Sequence, residues 1–169
     1  KIKIIPHGVG DNFFGERSIA SETFSSAGII RCVYVSPLWI FKHQWNVVQA
    51  VYELRLKGYL IELLLVGGGD NLGQKKLDEA ISTFDPKTEF ITRIQNVAND
   101  RLPAIISKND IFIFASSCEN MPNTVLEGMA SGLPIASSNR GPMPEVLKDG
   151  GVYFDPEKPS DIESALEKL

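Results

Sequence analysis

At 169 residues the chain fits one domain, large enough to bury most of the surface its unfolded form exposes. Hydrophobic residues at 43% and charged residues at 22% exclude a disordered chain, and a formal net charge of −4 excludes a general binder of nucleic-acid backbones, which needs clustered Lys and Arg. No apolar run approaches the roughly 18 residues of a membrane span, and Cys32, Cys118, His7 and His43 have neither the number nor the spacing for a disulfide framework or a four-ligand metal site.

The chain begins at Lys1 without Met or an apolar leader and stops at Leu169 inside a helix pattern, so both ends read as cut from something longer. Ile2 to Ile5 is a first extended piece closed by Pro6-His7-Gly8, and residues 11 to 29 carry Gly, Ser and Asp without a period, which predicts a loop. Ile30 to Val35 predicts a strand. From Gln44 to Lys57, Val47, Ala50, Val51 and Leu54 fall at helix spacing, with Gly58 as a left-handed stop. A buried strand over Leu60 to Val66 follows, then Gly67-Gly68-Gly69 and a helix from about Leu72 to Ser82. Glu89 to Ile94 predicts a strand, residues 99 to 107 a short helix, and Ile111 to Ala115 a strand. Next come a helix from Pro122 to about Ser131, a strand over Leu133 to Ala136, and a short helix over Pro144 to Lys148. Gly151 to Phe154 is a last strand, and Ser160 caps a terminal helix whose face is Ile162, Ala165, Leu166 and Leu169.

Strands alternating with helices predict an α/β fold, a doubly wound parallel sheet of Rossmann type in a single domain. Such sheets bind ligands at the carboxyl ends of their strands, here Ser36 to Lys42, Gly67 to Asp70, Arg93 to Asn96, Ser116 to Thr124 and Ser137 to Pro142.

The richest of these stretches runs from Ser116 to Pro134. Pro122 suits a first helical position, which leaves the N–H groups of Asn123, Thr124 and Val125 free for a phosphate. Within the helix, Val125, Leu126, Met129, Ala130 and Leu133 form the expected buried stripe, and Thr124, Glu127, Gly128 and Ser131 the other face. Gly128 lowers helix propensity by about 1 kcal/mol relative to Ala, so its position predicts a close approach. Glu119 and Glu127 thus flank one anion-binding helix end, and carboxylates there accept hydrogen bonds from sugar and ribose hydroxyls. The plainer reading is that acidic residues in the first turns complement the helix dipole from a solvated surface.

The spacing from Glu119 to Glu127, with Met-Ala-Ser-Gly after it, resembles the E-x7-E motif of group 1 (family 4) glycosyltransferases, retaining enzymes of the two-domain GT-B fold. Ile5-Pro6-His7-Gly8-Val9 is similar to that family's interdomain segment. Tyr34 to Lys42, Leu64 to Gly69, and Gly141 to Val146 resemble three further motifs in the family's order. The resemblance identifies the chain as the C-terminal, donor-binding half of such a fold, with residues 1–29 as interdomain segment and loop and an N-terminal acceptor domain outside it.

It also implies roles. Lys42 would neutralise the departing diphosphate, and Glu119 would sit at the transferred sugar, with Asn120, Met121 and Pro122 lining it. The amides around Asn123 and Thr124 would hold the diphosphate, Glu127 the ribose, and Arg93 and Ile94 the base. Gly67 would touch phosphate, although a glycine turn there also serves simply to pass from strand to helix. No cofactor or metal is implied, the nucleotide-diphosphate sugar being a substrate. The implied partners are the protein's own N-terminal domain and an acceptor glycan or lipid-linked glycan. The implied place is the cytoplasm, or the inner-membrane periphery.

The chain departs from the pattern at Pro37, where the family has an Arg, and at His7 and His43, which read as a linker residue and a helix-start residue. Cys118 reads as a small buried residue, Trp45 as core, and Trp39 as free to stack on a ligand. Two alternatives stand beside transfer: a nucleotide-sugar 2-epimerase, whose glutamate and histidine set is not found here, and a non-catalytic nucleotide-sugar module, which Pro37 keeps open.

Overall fold

The computed structural model describes residues 7–14, 28–69 and 71–169. Among these, six strands form one parallel sheet in the order β3-β2-β1-β4-β5-β6, comprising β1 (Ile30–Val35), β2 (Ile61–Val66), β3 (Ile91–Ile94), β4 (Ile111–Phe114), β5 (Ile135–Ser138) and β6 (Val152–Phe154). The helices are α1 (Gln44–Leu56), α2 (Asn71–Phe84), α3 (Leu102–Ile106), α4 (Asn123–Ala130), α5 (Met143–Leu147) and α6 (Pro159–Leu166). Among the described residues no helix is long and apolar enough to cross a membrane.

Central strands of such sheets are covered on both faces and read as continuous apolar runs. All four residues of β4, Ile-Phe-Ile-Phe, are buried, as are Cys32 to Val35 of β1. The register sets Cys32 beside Leu63 of β2 and beside Ile111 of β4, so β1 is the sheet's centre. Helix α1 packs against α2, α6 and β2. On α4, Gly128 rests on the Phe112 ring of β4: an added Cβ would stand 2.8 Å from its Cδ1.

Chain order reverses between β1 and β4. Right-handed crossovers leaving these neighbours in opposite directions part their loops and open a crevice at the carboxyl edge.

Several boundaries differ from expectation for local reasons. Pro122 is the cap of α4, extended at ψ 108°, and not its first helical residue. Lys158 takes the cap position of α6, with Pro159 opening the helix, so Ser160 does not cap it. Strand β3 starts two residues late because the Asp85 carboxylate holds the amides of Glu89, Phe90 and Ile91 at 2.7–3.1 Å. Strand β5 runs on to Ser137 and Ser138, both buried, and leaves out Leu133 and Pro134. In the expected loop of 11–29, a 3-10 turn over Asp11–Phe13 buries Phe13. Residues 15–27, like the strand expected over Ile2 to Ile5, lie outside the described residues.

The stripe expected on α4 is turned. Val125, Glu127 and Gly128 are the buried residues, whereas Met129 is 41% exposed. Only a glycine fits against the Phe112 ring, and this contact fixes the helix rotation over the apolar count. The approach at Gly128 is therefore that of an aromatic core residue.

Candidate functional site

The loop after β1 is built to hold one lysine. Leu38 bridges to Gly69, and a Cβ on Gly69 would meet the Leu38 amide nitrogen at 2.5 Å. A Cβ on Gly67, at φ +130°, would meet the Ser36 carbonyl oxygen at 2.3 Å. The first and third of the three glycines let the loops after β1 and β2 lie side by side; Gly67 packs on protein backbone. A 3-10 turn over Ile40–Lys42 follows, and His43, in the left-handed region at φ 50°, turns the chain into α1.

Lys42 is 5% exposed. Its ammonium contacts Oε1 of Glu119 in the loop after β4, so residues 77 apart in sequence meet across the crevice. Three aromatic rings surround the charge, Trp39 at 5.9 Å, Phe41 at 5.3 Å and Phe114 at 5.2 Å from the ammonium. Such rings present negative faces to a cation.

The two loops are tied together by more than this pair. The Ser117 amide donates to the Phe41 carbonyl at 2.8 Å, and His43 Nε2 lies 2.8 Å from the Ser117 hydroxyl. The third loop, after β5, closes on the same place, since a Cβ on Gly141 would stand 3.4 Å from the Glu119 carbonyl oxygen. At Pro37 the chain offers no second cation; its carbonyl accepts from Gln44 Nε2 at 2.9 Å.

Helix α4 begins beyond Glu119. The Val125 amide bonds the Pro122 carbonyl at 3.1 Å, so it is not available to a ligand as the sequence suggested. The amides of Asn123 and Thr124 remain at the helix end, where the dipole favours an anion. Asn120 is exposed, Met121 half-buried and Pro122 buried.

One turn on, Glu127 is 9% exposed, and its buried Oε2 has no hydrogen-bond partner among the described residues. It lines a pocket of about 390 Å³ with Asn123, Asn99, Asp100 and the segment Gly8 to Phe13. Burial pushes the Glu127 carboxyl above its ordinary value. A carboxylate so placed is short of donors.

Arg93 and Ile94 do not line the Glu127 pocket; the Ile94 carbonyl accepts from the Gly67 amide at 2.8 Å. Both residues end β3, two strands from β1, where Arg93 Nη1 pairs with Asp78 of α2 at 2.6 Å and its buried Nη2 has no partner among the described residues. Ile94, 36% exposed, lines a separate groove with Thr92 and Glu62. The groups that share the Glu127 pocket are instead Asn99 and Asp100, in the turn after β3. Sequence reasoning missed them because they become neighbours of α4 only through the sheet order.

Cys118 is exposed, contrary to expectation, because the short loop turns it out beside Glu119. Trp39 is 45% exposed at the crevice, while Trp45 packs partly buried against the core. His7 Nδ1 lies 2.8 Å from Asn123 Oδ1. No group of three or more His, Cys, Asp or Glu that could hold a metal occurs among the described residues.

Comparison with known proteins adds to this geometry. The model of the family described as Glycosyl transferases group 1 matches residues 30–169. A phosphatidylinositol N-acetylglucosaminyltransferase subunit of Arabidopsis thaliana is 27% identical over 169 residues, covering 99% of this chain and 36% of that protein. The chain spans no more than 36% of the length of the curated relatives it matches. The crystal structure of the C-terminal domain of a glycosyl transferase group 1 family protein from Francisella tularensis superposes with a TM-score of 0.70 at 20% identity, over 82% of this chain and 74% of that one. Anabaena Alr3699/HepE, solved in complex with UDP and glucose, gives 0.71 at 17% identity, over 84% of this chain and 39% of that one. These likenesses show the fold, the Rossmann-like half of a GT-B arrangement. With the family match running from β1 to the last residue, the chain belongs to the group 1 glycosyl transferases.

Proposed function

We propose that this chain is the donor-binding domain of an enzyme that moves a hexose-type sugar from a nucleoside diphosphate to an acceptor hydroxyl, with retention at the anomeric carbon. The observation that carries this reading is the meeting of Lys42 and Glu119 at the mouth between β1 and β4, beside the N-terminal end of α4. A nucleotide sugar offers an anion for Lys42 and for the amides of Asn123 and Thr124. It also offers sugar hydroxyls for Glu119 and ribose hydroxyls for the orphaned oxygen of Glu127.

In the reaction, the bond from the anomeric carbon to the diphosphate oxygen breaks, and the electron pair leaves with the nucleotide. Lys42 and the helix end stabilise the negative charge that develops there, which is where fixed dipoles act most strongly. The acceptor oxygen forms the new bond on the same face, and its proton passes to the departing phosphate. The acceptor itself, a glycan or a lipid-linked glycan, would be held by the protein's N-terminal domain. In this scheme the ammonium and the amides carry the charge that a metal would otherwise meet.

The test is turnover of UDP-, GDP- and ADP-sugars by the intact protein, compared with Lys42→Ala. The expected result is transfer or slow hydrolysis of one nucleotide sugar, reduced by roughly 10²-fold or more in the variant, the weight of one oxyanion donor. An unchanged rate in Lys42→Ala contradicts the assignment, and an epimerised donor would assign the site to an epimerase instead.

A further inference from the structure

We propose that the Lys42–Glu119 pair lets the site discriminate a sugar-bearing donor from the bare nucleoside diphosphate that transfer leaves behind, with Glu119 as the residue that sets the preference. This rests on the reading of the cleft as a nucleotide-sugar site and adds a specificity to it.

What each group touches sets the cost of binding. Among the described residues the charged partner of Lys42 is Glu119, and the rings of Trp39, Phe41 and Phe114 lie against the ammonium. The two side chains are 7% and 14% exposed, so water replaces little of what either would lose. A diphosphate reaching Lys42 must draw the ammonium away from Glu119. That leaves a carboxylate with no counter-charge, mostly enclosed and beside a new anion, a costly state.

The two candidate ligands differ in how they answer this cost. A bare nucleoside diphosphate brings only more negative charge. A nucleotide sugar brings hydroxyls that donate hydrogen bonds to Glu119 at the moment Lys42 leaves it. The protein therefore binds the donor with both charges satisfied and the product with one of them stranded. After transfer the sugar is gone, Glu119 recaptures Lys42, and the diphosphate loses its cation. The pair speeds product release through a contact already built into the fold. The ring faces reinforce this, with Phe114 fully buried beneath the ammonium, since they hold it within reach of either partner.

The experiment measures dissociation constants for UDP, GDP and ADP and for their hexose conjugates by titration calorimetry. It uses the intact protein as wild type, Glu119→Gln, Lys42→Met and the double variant. Glu119→Gln is expected to tighten the bare diphosphate roughly tenfold while leaving its sugar conjugate equal or weaker. In the Lys42→Met background the same change is expected to tighten the bare diphosphate clearly less than in wild type, because only repulsion is relieved and no pair remains to break. Equal tightening in both backgrounds would mean plain repulsion between Glu119 and phosphate and would overturn the proposal, as would an unchanged diphosphate constant in Glu119→Gln. If the buried amide prevents folding, Glu119→Ala removes the carboxylate and carries the same expectation. Wild-type protein that binds none of the nucleotides or conjugates sinks the underlying assignment as well, which separates that failure from the other two.

Discussion

The buried hydroxyl of Tyr34 donates to the main-chain carbonyl of Lys42 at 2.7 Å. Tyr34 lies in β1 and is 1% exposed, so the central strand of the sheet reaches up and fixes the loop that carries the ammonium. Burial pushes the phenol far above its ordinary value, which keeps it a donor throughout the working pH range. Tyr34→Phe keeps the ring against Phe114, whose centroid is 5.9 Å away, and removes the bond to Lys42 together with the hydroxyl's contacts to the Ala115 backbone and the Ser36 side chain. The expected loss is about 1–2 kcal/mol of stability by denaturant unfolding, together with weaker nucleotide-sugar binding as Lys42 loses its fixed position.

Gly128→Ala sets two effects against each other. Helix propensity favours Ala by about 1 kcal/mol, but the new methyl would stand 2.8 Å and 2.9 Å from Cδ1 and Cγ of the fully buried Phe112. The ring cannot swing away as a flexible tip would. Overpacking of this kind costs about 1–3 kcal/mol, so the variant is expected to unfold at lower denaturant. Phe112→Leu in the same chain is expected to recover part of the loss, which a double-mutant cycle would read.

Asp85 accepts hydrogen bonds from the amides of Glu89, Phe90 and Ile91 and is 2% exposed. Replacing it with Ala would leave these amides without their acceptor at the entry to β3, at a cost of about 3 kcal/mol. Thermal unfolding of Asp85→Ala checks this, and Asp85→Asn, which keeps one acceptor oxygen, should lose less.

Two groups give opposite slopes to stability against pH. Burial, aided by the Lys76 ammonium, holds His43 below the ordinary 6.5 against the pull of Glu157 and Asp155. Below that value the unfolded chain binds more protons than the folded one, so stability falls as pH drops from 6.5 towards the folded pKa. Glu127 is the reverse case. Its raised pKa means the folded chain holds the extra proton, and stability falls as pH rises from the ordinary 4.5 to the raised value. His43→Asn, whose side chain tolerates the left-handed backbone, should flatten the acid-side loss. Glu127→Gln should raise stability at neutral pH, and that gain should vanish below the ordinary carboxylate value. Unfolding curves across about pH 4 to 8, the span of both titrations, read both effects.

Much of this was written in the sequence, for identifiable reasons. The alternation of apolar runs with helix-period segments specified strand and helix order, because parallel strands covered on both faces read as near-continuous apolar runs, as Ile111 to Phe114 does throughout. Glu119 and Glu127 stood out because a cleft at the strand ends collects loop residues, and the chain marks those loops with Gly, Ser, Asn and charge; Lys42 was singled out by the resemblance to the group 1 glycosyltransferases. The rotation of α4 was not legible. Met129 counts as apolar and Glu127 as polar, yet Glu127 is 9% exposed and Met129 41%, since the fit of Gly128 on Phe112 outweighs the apolar count over so short a helix. Asn99 and Asp100 were equally hidden. They follow β3 at the edge of the sheet, and only the folded chain brings them to the Glu127 pocket.

If the crevice between β1 and β4 receives the diphosphate of a nucleotide sugar, the backbone around it must respond to that ligand. Amide shifts of the isotopically labelled chain, followed by NMR during titration with its nucleotide sugar, test this most directly. The largest changes are expected at Lys42, Glu119, Asn123, Thr124 and Glu127, with smaller ones at Asn99 and Asp100. Saturable shifts confined to the groove around Glu62, Thr92 and Ile94, with Lys42 and Glu119 unmoved, would contradict it.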